Sequence, residues 1–168
     1  MKPNTAYLGL GSNLGDRAAN LMRALKALID SGLRVQSLSS IYETEPVDNL
    51  DQPDFLNLAV AVDTLRIEPF SMLKLCLDVE TRLGRVRMTP KGARTIDIDL
   101  LLFGGLALDG AREGIALTLP HPRLHLRRFA LAPLAEIAPG LHHPVLGRTI
   151  KQLLDDLDDS SSALIYVG

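Results

Sequence analysis

Apolar residues along this chain recur at two spacings, and the spacing changes from segment to segment. A short apolar run at residues 6–10 predicts a strand, which ends at the turn-rich segment 11–16. Asp16 can cap a helix that runs to Gly32, because apolar side chains recur there at helical spacing. The residues of that repeat are Leu21, Ala24, Leu25, Leu28 and Ile29.

Strand-forming residues dominate the next part of the chain. Residues 33–44 are rich in Val, Ser, Ile, Tyr and Thr, and residues 55–64 place apolar side chains at every second position. Two strands are therefore predicted. The segment between them, residues 45–54, carries two prolines and four acids, so we expect an exposed loop.

The second half of the chain continues in the same way. Residues 68–84 predict a helix that has Pro69 in its first turn. Residues 95–103 alternate and then become wholly apolar, which is typical of a central strand with one end at solvent. The remaining predictions are a hairpin of residues 106–108 and 115–119, helices at about 125–137 and 149–157, and an edge strand at 163–167.

This order of elements predicts an α+β fold. Strand, helix, strand, strand, helix, strand is the order of a ferredoxin-like split βαβ sandwich, a mostly antiparallel sheet with helices on one face. A length of 168 residues falls within the usual size for one hydrophobic core, about 100 to 200 residues. We therefore predict a single domain over residues 1–168.

The composition indicates the cellular compartment in which the protein works. A lone cysteine, Cys76, can form neither an internal disulfide framework nor a zinc knuckle, so a reducing compartment is expected. Residues 1–14 lack the layout of a secretory signal, and no run of about 18 uncharged apolar residues occurs. We expect a cytoplasmic, monomeric protein that does not enter a membrane.

Charge is nearly balanced overall but uneven along the chain. The 18 Lys and Arg against 20 Asp and Glu argue against a general nucleic-acid binder, which usually carries a basic excess. Five basic residues lie within residues 82–94 and three within residues 123–128, and neither stretch contains an acid. Such clusters predict an anionic ligand, unless both are simply solvated loops.

Two aspartates follow the first basic stretch. Asp97 and Asp99 lie two residues apart in a predicted strand, so both carboxylates should emerge on one face, roughly 6 to 7 Å apart. Two such carboxylates repel each other unless a divalent cation lies between them, and hard oxygen ligands favour magnesium over zinc. The alternative is a pair of exposed strand aspartates, a residue type that is depleted in strands.

Carboxylates for Mg²⁺ beside several arginines are the recurring parts of phosphoryl-transfer sites. No P-loop motif is present, and we assign Gly9 and Gly11 to tight packing and a turn. One alternative function is that of a Mg²⁺-dependent nucleotidyltransferase, in which the α-phosphorus of a nucleoside triphosphate is attacked and pyrophosphate is released. The other is an RNA-binding module on the same fold, which would require exposed aromatic residues and a basic sheet face.

Six motifs occur along the chain in this order: residues 11–16 (GSNLGD), 40–46 (SIYETEP), 52–57 (QPDFLN), 84–87 (GRVR), 94–99 (RTIDID) and 120–123 (PHPR). Together they resemble the 6-hydroxymethyl-7,8-dihydropterin pyrophosphokinase family. The resemblance covers residues 6 to about 140. It implies a folate-pathway enzyme that moves the pyrophosphoryl group of ATP to the hydroxymethyl oxygen of a reduced pterin and releases AMP.

The resemblance also implies roles for residues on the ATP side. Asp97 and Asp99 match the aspartates that hold two Mg²⁺ ions on the ATP phosphates, and they are assigned to catalysis together with Arg85 and Arg94. The residues that match ATP contacts are Glu80, Arg85, Arg87, Arg94, Thr118, His121 and Arg127.

On the pterin side, Phe55 and Phe129 match the two aromatic residues that sandwich the pterin ring, and a flat heterocycle gains from such stacking. The other residues that match the pterin-binding wall are Thr44, Pro46, Val47 and Asn57. For several site residues, a purely structural role is an alternative interpretation. Phe129 also fits an apolar helix face, Glu80 a solvated helix surface and His121 a structural role.

The chain departs from the family pattern before the aspartates. Residues 91–94 read Lys-Gly-Ala-Arg, where the family usually has an aromatic residue and then Gly-Pro-Arg. We predict that this basic loop still closes over ATP, with fewer contacts holding it shut. The remaining histidines, His125, His142 and His143, have no metal-ligand spacing and are interpreted as surface residues.

Overall fold

The computed structural model describes residues 5–47, 51–64, 67–85, 92–159 and 161–168. Six strands in these residues form one antiparallel sheet: β1 (Thr5–Ser12), β2 (Val35–Leu38), β3 (Tyr42–Thr44), β4 (Phe55–Asp63), β5 (Asp97–Phe103) and β8 (Ala163–Ile165). Their order across the sheet is β5-β1-β4-β3-β8, and β2 also pairs with β4. A separate hairpin consists of β6 (Leu108–Arg112) and β7 (Ile115–Leu119). The α+β class with a mostly antiparallel sheet is confirmed.

Helices cover both faces of the sheet, and the prediction that they lie on one face is wrong. In the described chain, α1 (Arg17–Asp30) and α2 (Pro69–Arg82) pack on one face, while α3 (Arg128–Ile137) and α4 (Ile150–Asp155) pack on the other. The reason is visible in β4. Leu58 and Val60 contact the first helix pair, and the alternate residues Ala59 and Ala61 contact the second. Because both sets are apolar, this strand is covered on both faces.

The apolar strand β5 lies at an edge of the sheet and not at its centre. Among the described strands of the sheet, it pairs with β1 alone. Its residues are nevertheless buried in both cores, Ile98 and Leu100 on one face and Leu101 and Leu102 on the other. Helix α2 and strand β7 pack beside β5. Because α2 and β7 bury this edge strand, its residues can be as apolar as those of a central strand, which is the position that the sequence pattern predicts.

Two predicted elements are interrupted. Residues 33–44 form two strands, β2 and β3, rather than one. Between them, Ser39 forms hydrogen bonds with Ala59 of β4 through both its backbone and its side chain. Its N–H donates to the Ala59 carbonyl (3.0 Å), and its hydroxyl oxygen accepts from the Ala59 N–H (2.9 Å). The helix predicted from about residue 125 begins only at Arg128, after a 3₁₀ turn over Leu124–Leu126.

Smaller features of the chain were predicted with mixed success. Asp16 caps α1 as predicted, and its Oδ1 accepts from the Ala19 N–H (3.0 Å). The carboxyl-terminal edge strand is also confirmed as β8. His143 is buried instead of lying at the surface, at 5% exposure, and its Nδ1 accepts from the Leu146 N–H (3.2 Å). No helix among the described residues has the length and apolarity to cross a membrane.

Candidate active site

Two glycines of β1 form the floor of a cavity on the face of the sheet that α3 covers. Gly11 is in register with Asn57 of β4 on one side and with Asp97 of β5 on the other. Two residues earlier, Gly9 is in register with Asp99. A cavity of about 80 Å³, which we call the slot, lies over these positions. Gly9 and Gly11 therefore belong to a strand and line the slot. Gly9 lies in the strand predicted at residues 6–10, whereas the turn predicted to begin at Gly11 is wrong.

The slot collects most of the residues predicted to bind the pterin. It is lined by Thr44, Val47, Phe55, Asn57 and Phe129. Pro46 is buried between two lining residues and does not line the slot itself. Asn57 is held in place, because its Nδ2 donates to the hydroxyl of Thr44 (2.7 Å). The slot thus combines aromatic walls with one buried amide.

A larger cavity, of about 580 Å³, lies beside β5 and β7, and we call it the cleft. It contains the six predicted ATP contacts that the structure describes: Glu80, Arg85, Arg94, Thr118, His121 and Arg127. Arg87 lies outside the described residues, as does most of the loop that we predict to close over ATP. Leu73 and Leu77 of α2 and Ile115 of β7 give the cleft an apolar part.

Slot and cleft meet at four charged residues. Asp97, Asp99, Arg94 and Arg127 line both cavities. As predicted, the two aspartates alternate with buried Ile98 and share one face of β5. A ligand in the slot and a ligand in the cleft would therefore both reach the carboxylate pair.

An ion-pair network holds Asp97. Arg85 Nη1 lies 2.6 Å from Asp97 Oδ1 and also contacts Glu80 Oε1, and Arg94 Nη1 contacts Asp97 Oδ2. Glu80 is only 2% exposed, and its Oε1 accepts from the Ile98 N–H (2.6 Å). Burial raises the pKa of Glu80 in spite of that hydrogen bond. Because Ile98 lies between the two aspartates, Glu80 fixes the backbone from which both emerge.

The electrostatics of Asp99 fit a divalent cation. Burial, followed by the charge of Asp97, raises the pKa of Asp99 to about 7. A cation would relieve this cost, and paired carboxylates open to phosphate oxygens suit Mg²⁺. The described residues contain no cluster of three or more His, Cys, Asp or Glu that could hold a metal. Mg²⁺ commonly takes only one or two carboxylates and completes its shell with phosphates and water.

His121 is a neutral donor that faces the cleft. Burial, followed by the charges of Arg127 and Arg123, lowers the pKa of His121 to about 4. Its Nδ1 accepts from the Arg123 N–H (3.2 Å), so in the neutral ring the proton resides on Nε2. The imidazole can therefore donate a hydrogen bond to an anion at neutral pH.

Two arginines connect the charged centre with the aromatic walls. The Arg94 guanidinium carbon lies 5.9 Å from the centre of the Phe55 ring, and that of Arg127 lies 5.2 Å from the Phe129 ring. Both distances fall in the range of cation–π contacts. Each wall of the slot is thus in contact with an arginine of the cleft.

Asn13 links the segment before β5 to the edge of the slot. Its Oδ1 accepts from the Arg94 N–H (2.8 Å), and its Nδ2 donates to Gln52 Oε1 (3.2 Å) and to the Pro53 carbonyl (3.1 Å). Gln52 lines the slot. Asn13 lies in the first motif of the family resemblance, but no residue type or spacing in the sequence indicates this bridging role.

Several further lining residues were not predicted from the sequence. In the slot they include Gly9, Gly11, Gln52, Leu101, Ala130 and Pro133, and in the cleft they include Leu73, Leu77, Ile115 and Arg123. Arg123 belongs to a basic cluster that the sequence singled out, so charge could have identified it. The apolar residues carry no such signal, because they follow the same periodicity as the core.

Together, these features define a class of protein. A carboxylate pair and several arginines face an open cleft, next to a slot for a flat second substrate, as expected of a phosphoryl-transfer enzyme. The comparison with protein families is more specific. Residues 7–139 match the family described as 7,8-dihydro-6-hydroxymethylpterin-pyrophosphokinase (HPPK), and the chain belongs to this family.

Similar proteins support the assignment. A 2-amino-4-hydroxy-6-hydroxymethyldihydropteridine pyrophosphokinase of Methylorubrum extorquens is 46% identical over 156 residues, 92% of this chain and 94% of that protein. The enzyme of the same name from Bacillus subtilis is 46% identical over 138 residues, 80% of this chain and 78% of its own length.

The fold has also been solved before. Plasmodium falciparum HPPK-DHPS superimposes with a TM-score of 0.73 at 21% identity, and the match covers 90% of this chain and 43% of that longer chain. This likeness supports the ferredoxin-like fold. The resemblance inferred from six motifs is confirmed, in preference to the nucleotidyltransferase and the RNA-binding module.

Proposed function

We propose that this chain transfers the pyrophosphoryl group of ATP to the hydroxymethyl oxygen of 6-hydroxymethyl-7,8-dihydropterin and releases AMP. The observation that carries the proposal is the position of Asp97 and Asp99, which line both the slot and the cleft. The names of the relatives agree with it, and one, from Schizosaccharomyces pombe, is called a folic acid synthesis protein. The step belongs to folate synthesis.

The slot suits the pterin. Its aromatic walls, Phe55 and Phe129, offer flat surfaces for a fused heterocycle. Asn57 supplies an amide that can exchange hydrogen bonds with polar atoms at the ring edge. A ring bound in this way directs its hydroxymethyl group towards the carboxylate pair.

The cleft suits ATP. Arg85, Arg94 and Arg127 supply positive charge to the triphosphate, and His121 donates from Nε2 to a phosphate oxygen. The apolar part near Leu73 and Ile115 suits the nucleoside base. Fixed donors around the transferred group stabilise charge that develops in the transition state.

Asp97 and Asp99 would hold two Mg²⁺ ions. When bound, these ions neutralise phosphate charge and polarise the phosphorus that is attacked. Arg85 and Glu80 position the pair, Arg85 through Asp97 and Glu80 through the Ile98 backbone. The pterin hydroxyl loses its proton to solvent while its oxygen forms a bond to the β-phosphorus, the bond from that phosphorus to the α,β-bridging oxygen breaks, and AMP leaves.

The direct test is an assay with ATP, Mg²⁺ and 6-hydroxymethyl-7,8-dihydropterin, in which nucleotide products are separated by chromatography. We expect AMP in equal amounts with pterin pyrophosphate, and neither product after EDTA has removed Mg²⁺. Pyrophosphate as the product would favour attack on the α-phosphorus instead. An absence of AMP with Mg²⁺ present would refute the proposal.

Neutralising one metal ligand tests the role of the carboxylates. Asp97→Asn should lower kcat on the order of 10³-fold, because about 4 kcal/mol of transition-state stabilisation depends on the metal site. Asp30→Asn is the matched control, since Asp30 pairs with Lys26 on the surface of α1 (2.6 Å). A variant at position 97 that keeps more than a tenth of the wild-type rate contradicts the metal assignment.

We also infer that the enzyme acts as a monomer in the cytoplasm and has no nucleic-acid or membrane partner. Near-neutral charge and the lone Cys76 support this inference. Sedimentation of the purified protein with and without both substrates tests the oligomeric state. A stable dimer under either condition would contradict it.

A further inference from the structure

Gly11 occupies the centre of the slot floor, and its backbone does not explain why it is glycine. It lies in β1 between Asn57 and Asp97. Gly11 is not among the glycines of the described chain that have positive φ, such as Gly15 and Gly114. A residue with a side chain could therefore adopt the same backbone conformation. The reason for glycine at this position must be space.

The space is taken by one atom of Asn57. A Cβ built on Gly11 would lie 2.7 Å from Asn57 Oδ1, closer than real Cβ atoms come to other heavy atoms. The next contact is Phe55 Cδ1 at 3.8 Å, which is an ordinary van der Waals distance. A methyl group at this position thus conflicts with the amide oxygen and with little else.

Asn57 cannot easily move away. Its Nδ2 donates to the Thr44 hydroxyl (2.7 Å), and Asn57 and Thr44 are only 6% and 3% exposed. To turn Oδ1 away from a methyl group at position 11, the side chain must break this buried hydrogen bond. Within the described part of the chain, no hydrogen bond holds Oδ1 itself, so this oxygen is available to a ligand in the slot.

We propose that Gly11 is a specificity-determining position of the slot, whose missing side chain keeps the Asn57 amide oxygen in place as an acceptor for the ligand. The inference rests on the proposed function, because the ligand is taken to be a pterin whose ring N–H and amino groups are donors. Gly11 contacts no reacting atom in this account. It acts through Asn57 and is a positioning residue.

Gly11→Ala tests the inference, with Gly110→Ala as the matched variant. Gly110 is a strand glycine of β6 that lines neither cavity, and a Cβ there would meet Phe70 Cζ at 4.0 Å, an ordinary van der Waals distance. Gly11→Ala should raise the KM for the pterin by about 10- to 100-fold, and Gly110→Ala should leave it near the wild-type value. The KM for ATP and the affinity for a non-hydrolysable ATP analogue should change less than twofold in both. Equal effects on the pterin KM in the two variants would overturn the inference.

A double-mutant cycle separates this role from general damage to the sheet. In an Asn57→Ala background the conflict is absent, so adding Gly11→Ala should raise the pterin KM by less than about threefold. Multiplicative effects would show that the methyl group does not act through Asn57. If Gly11→Ala alone does not fold, the double variant should fold and melt near Asn57→Ala, and its failure to fold would count against the inference.

The wild-type assay distinguishes a failure of the proposed function from a failure of the role proposed for Gly11. No AMP from wild-type enzyme, ATP and the pterin refutes the proposed function and this inference with it. Normal wild-type turnover, combined with a pterin KM for Gly11→Ala that matches wild type, refutes only the role of Gly11.

Discussion

The slot and the cleft meet at one carboxylate pair but are built in different ways. The floor of the slot comes from adjacent positions on neighbouring strands, and the pairing of β1 with β4 and β5 fixes their spacing. The cleft takes its residues from α2, β5, β7 and the segment after Pro120. Side-chain ion pairs, such as that between Arg85 and Asp97, hold its charged groups.

This difference indicates how each region recognises its substrate. Backbone pairing gives the slot a shape that exists before the ligand binds, which suits a rigid ring. Arginine side chains can rearrange around a flexible triphosphate and respond to charge that develops during reaction. We therefore expect substitutions in the slot to act on the KM of the pterin and substitutions in the cleft to act on kcat.

Replacement of Arg94 should change both kcat and the pterin KM, because Arg94 lines both the slot and the cleft. It contacts Asp97 and lies over the Phe55 ring. Arg94→Ala should lower kcat by about 10²- to 10³-fold through loss of a charged donor, and should also raise the pterin KM several-fold. Steady-state kinetics with each substrate varied would measure both effects. Arg82→Ala is the control, since Arg82 lies outside both cavities and donates to Ser31 Oγ (3.1 Å). A change in kcat alone would show that Arg94 serves the cleft only.

Replacement of Phe129, in contrast, should change the pterin KM and leave the KM for ATP near the wild-type value. Phe129→Leu keeps apolar volume but removes one stacking face, so the pterin KM should rise roughly 10-fold. The KM for ATP should stay within twofold. Phe70→Leu removes a ring that lies against Arg112 and lines neither cavity, and it should leave both values near wild type. If Phe129→Leu lowers kcat without changing the pterin KM, the aromatic wall does not bind the ring.

The sequence predicts features that depend on local spacing better than features that depend on register. Asp97 and Asp99 could be placed on one face because the period of a strand is two residues. Gly11 falls in the segment predicted as a turn, since glycine signals a turn and nothing in the sequence shows which residues lie opposite it. Only the pairing of β1 reveals Asn57 and Asp97 on either side of Gly11.

The same limit applies to the fold. The helices and most strands could be predicted from their periodicity, whereas their arrangement in layers could not. Ala59 and Ala61 of β4 carry too little apolar surface to indicate a second helix layer, yet α3 packs against them. Burial of β5 by α2 and β7 gives the same apolar pattern as a central position in the sheet. Contacts between elements that are distant in sequence decide both cases.

Asn13 provides a moderate effect that couples the two regions. Its amide joins the Arg94 backbone to Gln52 and Pro53 at the edge of the slot. Asn13→Ala removes three hydrogen bonds, so both KM values should rise together by about fivefold. Gln36→Ala is the control, because its hydrogen bond with Thr5 (2.9 Å) lies at the other end of β1. A rise in only one KM would show that Asn13 does not couple slot and cleft.

The smallest expected effect is the pH dependence that His121 gives to the cleft. Its pKa of about 4 lies below the usual value of about 6.5, chiefly because of burial. The unfolded chain therefore binds a proton at this residue below about pH 6.5, whereas the folded chain does so only near pH 4. It follows that the free energy of unfolding decreases as pH falls through this window, and is constant below it as far as His121 is concerned. Asp99, with a pKa raised to about 7, works in the opposite direction.

Comparison with His121→Gln isolates the histidine from Asp99 and from the buried His143, which both proteins retain. Between pH 7 and pH 5, wild type should lose about 1 kcal/mol more stability in urea unfolding than the variant, after allowance for the partial exposure of the ring. Phe129→Leu, a slot variant, should keep the wild-type pH dependence. Equal losses in wild type and His121→Gln would mean that the folded chain binds the His121 proton as readily as the unfolded chain, and the neutral-donor role in the cleft would fail with it.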